Sequence, residues 1–428
     1  MKRAGIVGQR PPIRPNTPTS LPTRPMTSTS AFSSATPSPR GDALQRAQTL
    51  ATRFAETAVA RDAAGGTPKA ERDTLRQSGL LSLSIPADYG GQGAQWAQTL
   101  ETVRILAQAD SSLAHVYGFH HLLLATVQLF SKPEQWVPWV EQTARNHWFW
   151  GNALNPLDER TVVRRMHDTQ EWFEFSGKKS FCSGALDSEM LIASGKDERS
   201  GKLLIAAIPT ARAGITINSD WNCFGQRQTD SGSALFERVR VDTAEMLLDP
   251  GPLTTPRASL RPLLAQLVFV HMFLGLAQGA LAEAKHYTLH EARPWFRSGV
   301  ENASDDPYTL AHYGEFHVGL ESVRLLARQA ATLFDEAWQQ GDSLDADARG
   351  RVAVAVATAK VAASRHGLDV ASRLFETTGA RATHGALRLD RYWRNLRVQT
   401  LHDPVDYKLQ DIGNWVLNAQ APAPSFYS

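Results

Sequence analysis

His402, Asp403 and Pro404 stand side by side between a long helical region and a short final helix, in a stretch that runs from Arg394 to Lys408. Proline cannot continue a helix interior and biases the residue before it away from the α region. His402 is therefore expected at a fixed loop or in the first turn of the last helix. An imidazole titrates near neutrality, so it can both donate and accept a proton there. A helix-capping His–Asp pair would use the same residues. Three other stretches carry uncommon side chains: Ala114-His115-Val-Tyr117-Gly118-Phe119, Trp148-Phe-Trp150-Gly151-Asn152 and Gly177-Lys-Lys-Ser-Phe181-Cys182-Ser183-Gly184. Small residues let a backbone approach a flat ligand, a turn can present amide donors, and aromatic rings can wall the ligand by stacking. Taken singly, each stretch is also explained by packing or by a tight turn.

Familiar catalytic patterns are absent. There is no Gly-x-Ser-x-Gly, no His-Glu-x-x-His and no phosphate-binding loop, and Gly91-Gln-Gly93 lacks the third glycine of a dinucleotide fingerprint. His115, His120 and His121 do not have zinc spacing, and neighbours on a helix point to different faces; His120 and His121 are expected to be partly buried, with no metal site. The 428 residues carry 45 basic and 43 acidic side chains, a net charge of +2. Nothing suggests the clustered basic face that nucleic acid requires. Cys182 and Cys223 make no disulfide framework; both are expected as small buried side chains in a reducing, cytoplasmic compartment.

The segment from Leu263 to Ala282 is long and apolar enough to span a membrane. It holds Gln266, His271 and Gln278, which would be costly in lipid. A helix buried in a bundle explains it better, so no membrane association is expected. Residues 1–40 contain no acidic residue and are rich in Pro, Ser, Thr and Arg. They cannot bury enough surface to offset their ordering entropy, and a disordered tail is expected over residues 1–41. The composition is like that of a transit peptide, but its prolines spoil an amphipathic helix; a native start near Met26 is the plainer expectation.

From Asp42 apolar residues recur at helical spacing: Leu44, Ala47, Ala51, Phe54 and Ala58. Further helices are expected near Ala70 to Ser78, Gln95 to Asp110 and Ser111 to Phe130. Near Trp148 the pattern turns to alternation. Met190 to Ala193 and Leu203 to Ile208 flank the polar turn Lys196 to Gly201 as a hairpin, with more strands at Ile215 to Ile217 and Leu235 to Val241. From about Pro256 the chain is helical again. The expected class is α+β, with an N-terminal helical domain (42–147), a middle β-barrel-like domain (148–251) and a C-terminal four-helix bundle (252–428).

This order resembles the acyl-CoA dehydrogenase fold. The Pro86 to Gly93 loop, the segment Phe224-Gly225-Gln-Arg227-Gln-Thr229-Asp-Ser231-Gly232 and the loop Gly379-Ala-Arg381 carry the likeness. A closer resemblance is to the flavin-dependent monooxygenases of this fold, the dibenzothiophene monooxygenases and their relatives in sulfone and sulfinate metabolism. Matching segments include Phe181-Cys-Ser-Gly184, Ala292-Arg293-Pro294-Trp295, Tyr392-Trp-Arg-Asn395 and Leu401-His402-Asp403-Pro404-Val405, and the likeness spans nearly everything after residue 45. It implies a two-component enzyme in which reduced FMN from a separate NAD(P)H:FMN reductase reacts with dioxygen. A C4a-hydroperoxyflavin then oxygenates the sulfur of an organosulfur compound, a dibenzothiophene-type sulfide or a smaller alkyl sulfide or sulfinate.

By that resemblance His115 and His402 flank the peroxide, and the Ser183 hydroxyl or amide meets the flavin C4a/N5 edge. Asn152, Phe181 and Trp221 line the flavin or substrate side, and Arg293 and Arg381 meet the flavin phosphate, across a subunit boundary in a homotetramer. Phe119 stands where the dibenzothiophene enzymes have Tyr, and Gln399 where they have another His; both bear on the substrate pocket. The alternative is an FAD-dependent acyl-CoA dehydrogenase or oxidase. Many of those enzymes carry a Glu base on the loop before the last helix, where this chain has Thr400-Leu-His402-Asp403. A non-enzymatic scaffold subunit is the remaining class.

Overall fold

The structure is a computed structural model that describes residues 39–167 and 171–428. The expected tail lies outside the described residues except for its last three positions, which open the first helix, and the turn at 168–170 lies outside them too. Five helices come first: α1 (Pro39–Ala64), α2 (Lys69–Gln77), α3 (Trp96–Ala109), α4 (Ser111–Phe130) and α5 (Pro133–Asn146). Asp110 caps α4 by accepting from Ser112 N at 2.9 Å and Leu113 N at 3.1 Å, the role an N-cap carboxylate serves for otherwise unpaired amides. Periodicity alone does not single out α5, because Pro138 lies inside it. Its place is set by the burial of Val140 and Thr143.

Seven strands follow: β1 (Trp150–Ala153), β2 (Val162–His167), β3 (Glu171–Lys179), β4 (Met190–Asp197), β5 (Leu203–Pro209), β6 (Ile215–Ile217) and β7 (Ala234–Asp242). They form one curled, half-barrel sheet in the order β1-β4-β2-β3-β7-β6, with β5 also on β4. β4 and β5 make the expected hairpin, in the register Ile192 to Ala207. Alternating inward side chains such as Phe173, Phe175, Val239 and Val241 give the sheet its own apolar core.

The last five helices are α6 (Leu260–His290), α7 (Pro307–Gln340), α8 (Ala346–Thr378), α9 (Asp390–Thr400) and α10 (Val405–Asn418). The apolar part of α6 is 94% buried within the fold, and its polar side chains all have partners. Gln266 bonds Lys360 and Asp403, His271 bonds the Leu267 carbonyl, and Gln278 accepts from Arg104 and Gln108. Gly275 and Gly279 let α3 cross in close contact, since a Cβ at either would lie 2.1 Å from the Arg104 or Gln108 carbonyl oxygen.

Two expectations are corrected here. His120 and His121 are fully buried, not partly, and both are hydrogen-bonded: His120 Nε2 to the Leu81 carbonyl at 2.8 Å, His121 Nδ1 to Ser84 Oγ at 2.7 Å. The turn between α2 and α3 folds back over α4 and covers them. Cys223 is only half-buried, because it sits on an irregular loop of the sheet; Cys182 is buried as expected.

Burial holds three imidazoles of α4 neutral: His115 is lowered to about 3, His120 to about 4, and His121 well below its usual value. An unfolded chain protonates them below about pH 6.5 whereas the folded chain does not, so the unfolded state binds more protons and stability is lost as pH falls below that point. Each imidazole contributes about 1.4 kcal/mol per pH unit in this window. The urea midpoint should drop clearly between pH 7 and pH 5, with a shallower slope in His121→Gln. A midpoint unchanged over that range would contradict this reading.

Candidate active site

His402 lies between α9 and α10, in the loop that Pro404 enforces by starting the last helix. Its Nδ1 is 3.1 Å from Asp403 Oδ1. Asp403 is buried and also meets Lys360 (3.4 Å), Lys408 (3.5 Å) and Gln266 Nε2 (3.2 Å). Burial pushes its carboxyl up, but Lys360, His402 and Lys408 outweigh that and hold it well below the usual carboxylate range. It is therefore ionised and accepts the His402 Nδ1–H. The tautomer follows: neutral His402 carries its lone pair on Nε2. The His402 side chain is 38% exposed, so it reaches the surface although crowded. That crowding lowers its pKa, and the Asp403 bond offsets part of the effect.

Lys360 is the least expected member of this group. It is buried in the Ala/Val-rich α8, donates to Gln266 Oε1 at 2.8 Å, and sits 4.3 Å from the centre of the Phe269 ring and 4.9 Å from that of Phe273. Burial lowers its pKa to about 8, with Asp403 opposing. A lone lysine inside a helix of small apolar residues is the sequence signal that marks it.

His115 faces the same region from the second turn of α4. It stacks on Phe119 at 4.2 Å, one helical turn on, and Phe269 lies within ring contact of both His115 (6.0 Å) and His402 (4.7 Å). Gln399 Nε2 lies 3.3 Å from His115 Nδ1. That amide donates, so Nδ1 accepts and the proton resides on Nε2, which is buried with no partner among the described residues. His115 and His402 thus hold opposite tautomers, one with a free Nε2–H and the other with a free Nε2 lone pair. Phe119 and Gln399 both fall beside them.

The Ser183 turn meets α4 next to His115: a Cβ on Gly184 would lie 3.5 Å from Val116 Cγ1. The buried Arg72 donates to the Gly184 carbonyl at 3.0 Å, and Asn152 N donates to the Ser183 carbonyl at 3.0 Å. Phe181 has a left-handed backbone (φ 59°), stands 57% exposed, and meets Trp221 edge-on at 5.9 Å. Trp221 Nε1 donates to the Gln226 carbonyl at 2.8 Å. Asn152, Phe181, Ser183 and Trp221 are thus gathered around one turn of the sheet, against the helix that bears His115. Arg72, Lys360, Gln266 and Phe269 are the participants that no motif announces.

Arg293 and Arg381 form a separate, exposed group. Arg381 Nη2 donates to the Glu291 carbonyl at 2.7 Å, two residues before Arg293. Neither arginine has a carboxylate partner among the described residues, so neither is spent on a surface ion pair. No hydrogen bond or ring contact among the described residues joins them to the histidines or to Ser183.

The chain is similar to known proteins over most of its length. Residues 42–147 match the family described as acyl-CoA dehydrogenase, N-terminal domain, and residues 267–407 match its C-terminal domain. The probable FMNH2-dependent monooxygenase SfnC of Pseudomonas putida is 66% identical over 391 residues, 91% of this chain and 98% of that protein. Dibenzothiophene monooxygenase of Rhodococcus erythropolis is 42% identical over 399 residues, 90% of this chain and 96% of that one. The solved structure of methanesulfinate monooxygenase MsuC from Pseudomonas fluorescens superposes with a TM-score of 0.88 at 67% identity, covering 90% of this chain and 99% of that one.

Removing one partner of a buried ion pair leaves the other charge stranded, at a cost of about 3–5 kcal/mol, whereas removing both costs far less. Asp403→Asn should therefore destabilise the chain strongly, and the double variant Lys360→Met/Asp403→Asn should recover much of the loss in urea denaturation. Additive losses would show that Lys360 and Asp403 do not act as a pair.

Proposed function

The chain belongs to the flavin-dependent monooxygenases of the acyl-CoA dehydrogenase fold, and on that premise we propose that it is an FMNH2-dependent monooxygenase acting on the sulfur of a small alkyl sulfide or sulfinate. The observation that carries this reading is the pair of opposite tautomers at His115 and His402. Proton abstraction from an acyl thioester would need a free carboxylate, which many enzymes of that kind carry in the same loop. Asp403 is the carboxylate of that loop, and it is engaged by two lysines and by His402, which speaks against the dehydrogenase alternative.

The residues present fit a flavin. Phe181 stands more than half-exposed beside Trp221, His115 Nε2 is an orphaned buried donor, and among the described residues Arg293 and Arg381 have no carboxylate to neutralise them. Asn152, Phe181, Ser183 and Trp221 would hold the ring system, and the two arginines its phosphate. When bound, reduced FMN supplies the two electrons with which dioxygen gives one oxygen atom to sulfur and the other to water. His115, neutral and protonated on Nε2, would have that N–H free to donate a hydrogen bond at the reacting centre. His402 moves protons at Nε2 while Asp403 keeps its other nitrogen occupied. Phe119 and Phe269 keep water from the reacting atoms, as an oxygen-transfer site needs.

A smaller substrate than dibenzothiophene is supported by the 67% identity to a methanesulfinate monooxygenase and by Phe119 and Gln399. The described fold holds no second nucleotide-binding unit, so a separate NAD(P)H:FMN reductase supplies the reduced flavin by diffusion, in the cytoplasm. We read the assembly as a homotetramer, supported by exposed Trp295 and Phe296 beside Arg293 and by exposed Leu310, Val318 and Leu325 along α7. The phosphate-binding arginines would then serve a neighbouring copy.

His402→Ala should oxidise reduced FMN with hydrogen peroxide as the product in place of oxygenated methanesulfinate. Measured coupling of flavin oxidation to product at the wild-type level would remove His402 from the mechanism. Light scattering should give the mass of four chains. In that assembly Arg293→Ala should weaken FMN binding about 10- to 100-fold, the range for a hydrogen bond to a charged group, with riboflavin, which lacks the phosphate, unaffected. Equal losses for FMN and riboflavin would contradict the phosphate role.

A further inference from the structure

Ser183 does not stand alone. Its Oγ lies 2.7 Å from Ser231 Oγ, which lies 2.7 Å from Thr229 Oγ1, and Thr229 Oγ1 donates at 3.0 Å to the Gln226 carbonyl. All three hydroxyls are buried. The end of this chain decides its direction. The Gln226 carbonyl has no proton to give, and it already accepts from Trp221 Nε1 at 2.8 Å and from Thr229 N at 3.2 Å. A hydroxyl has one proton and can accept two bonds. Thr229 spends its proton on the carbonyl, so it must accept from Ser231. Ser231 has then spent its own proton and must accept from Ser183. The Ser183 proton is committed inward, and the oxygen can offer a ligand only a lone pair.

That polarity matters for the group proposed to lie against Ser183. Position N5 of an oxidised flavin is an acceptor, whereas in the reduced flavin it bears a hydrogen and is a donor. A lone pair opposite N5 pairs with the reduced form and leaves the oxidised form facing another acceptor. We infer that Ser231 and Thr229 are positioning residues that orient the Ser183 hydroxyl so that the site selects reduced over oxidised FMN; this rests on the placement of Ser183 at the flavin C4a/N5 edge in the proposed function. Such selectivity suits a chain that takes its flavin reduced from solution and must release it oxidised after each turnover.

The test is anaerobic equilibrium titration of the full-length protein with FMN in each redox state, which reads binding and needs no turnover. Wild type should bind reduced FMN more tightly. Ser231→Ala removes the acceptor that holds the Ser183 proton inward, so the hydroxyl can turn and donate. Oxidised FMN should then bind more tightly, and the reduced-to-oxidised affinity ratio should fall about two- to tenfold, the worth of one hydrogen bond. Thr229→Val should lower the ratio in the same way, and Thr229→Ser should keep it at the wild-type value. Ser183→Ala should lose the preference, chiefly through weaker binding of reduced FMN. A ratio unchanged in Ser231→Ala and Thr229→Val, or an equal loss of affinity for both redox states, would overturn the orienting role while leaving the FMN reading intact. Wild-type protein that binds neither form would overturn both.

Discussion

The Gln226 carbonyl accepts from an indole, a hydroxyl and an amide, and the meeting of sheet and helices turns on this one group. Gln226 N donates to Asn395 Oδ1 at 2.6 Å, and its side-chain amide reaches Ser111 Oγ at the start of α4. The residue before it must be glycine, because a Cβ on Gly225 would lie 2.1 Å from the Arg394 carbonyl. Gln226 and Asp230 hold left-handed backbones, φ 52° and 56°, which cost about 1–3 kcal/mol each and persist only where surrounding contacts over-determine them. Here the contacts do so, and one short loop seats Trp221, the Ser183 turn and two helices together.

A second constraint acts around Phe269. Two imidazoles beside one aromatic ring cannot readily both carry charge in a desolvated setting, and burial, with His402 adding to it, lowers the readiness of His115 to protonate. The structure resolves this by giving each ring a different partner. An amide nitrogen leaves His115 as a donor at its free atom, and a carboxylate leaves His402 as an acceptor. The lysine pair around Asp403 keeps that carboxylate ionised, and so keeps the second tautomer in place. Buried ion pairs of this kind return little net stability. Their value here is geometric, because the carboxylate stays on His402 Nδ1 only while Lys360, Lys408 and Gln266 hold it.

Much of this was legible in the chain. Helical and alternating periodicity marks most elements, because each buries one face and the two periods differ. Pro404 marks the His402 loop because it cannot sit inside a helix. The Ser183 turn is marked by small residues, and the family motifs point to the same stretches. Other features were not legible. Pro138 hides α5, whose position depends on what it packs against. His120 and His121 look like ordinary helix neighbours, and their complete burial depends on a distant turn folding over them. Lys360 stands out in α8, but nothing local says that it serves Asp403.

The sequence by itself determined the order of helices and strands, the loop that carries His402, and the kinship that names the chemistry, since all of these rest on local patterns of residue type. Only the tertiary structure decided which atom of each histidine is free, which way the Ser183 proton points, and which charges are paired. Those properties belong to contacts between residues far apart in the chain: His115 and Gln399 are separated by 284 positions, Ser183 and Ser231 by 48. A hydrogen bond has a direction only once both partners are in place, and no spacing in one segment can specify a partner that another segment brings.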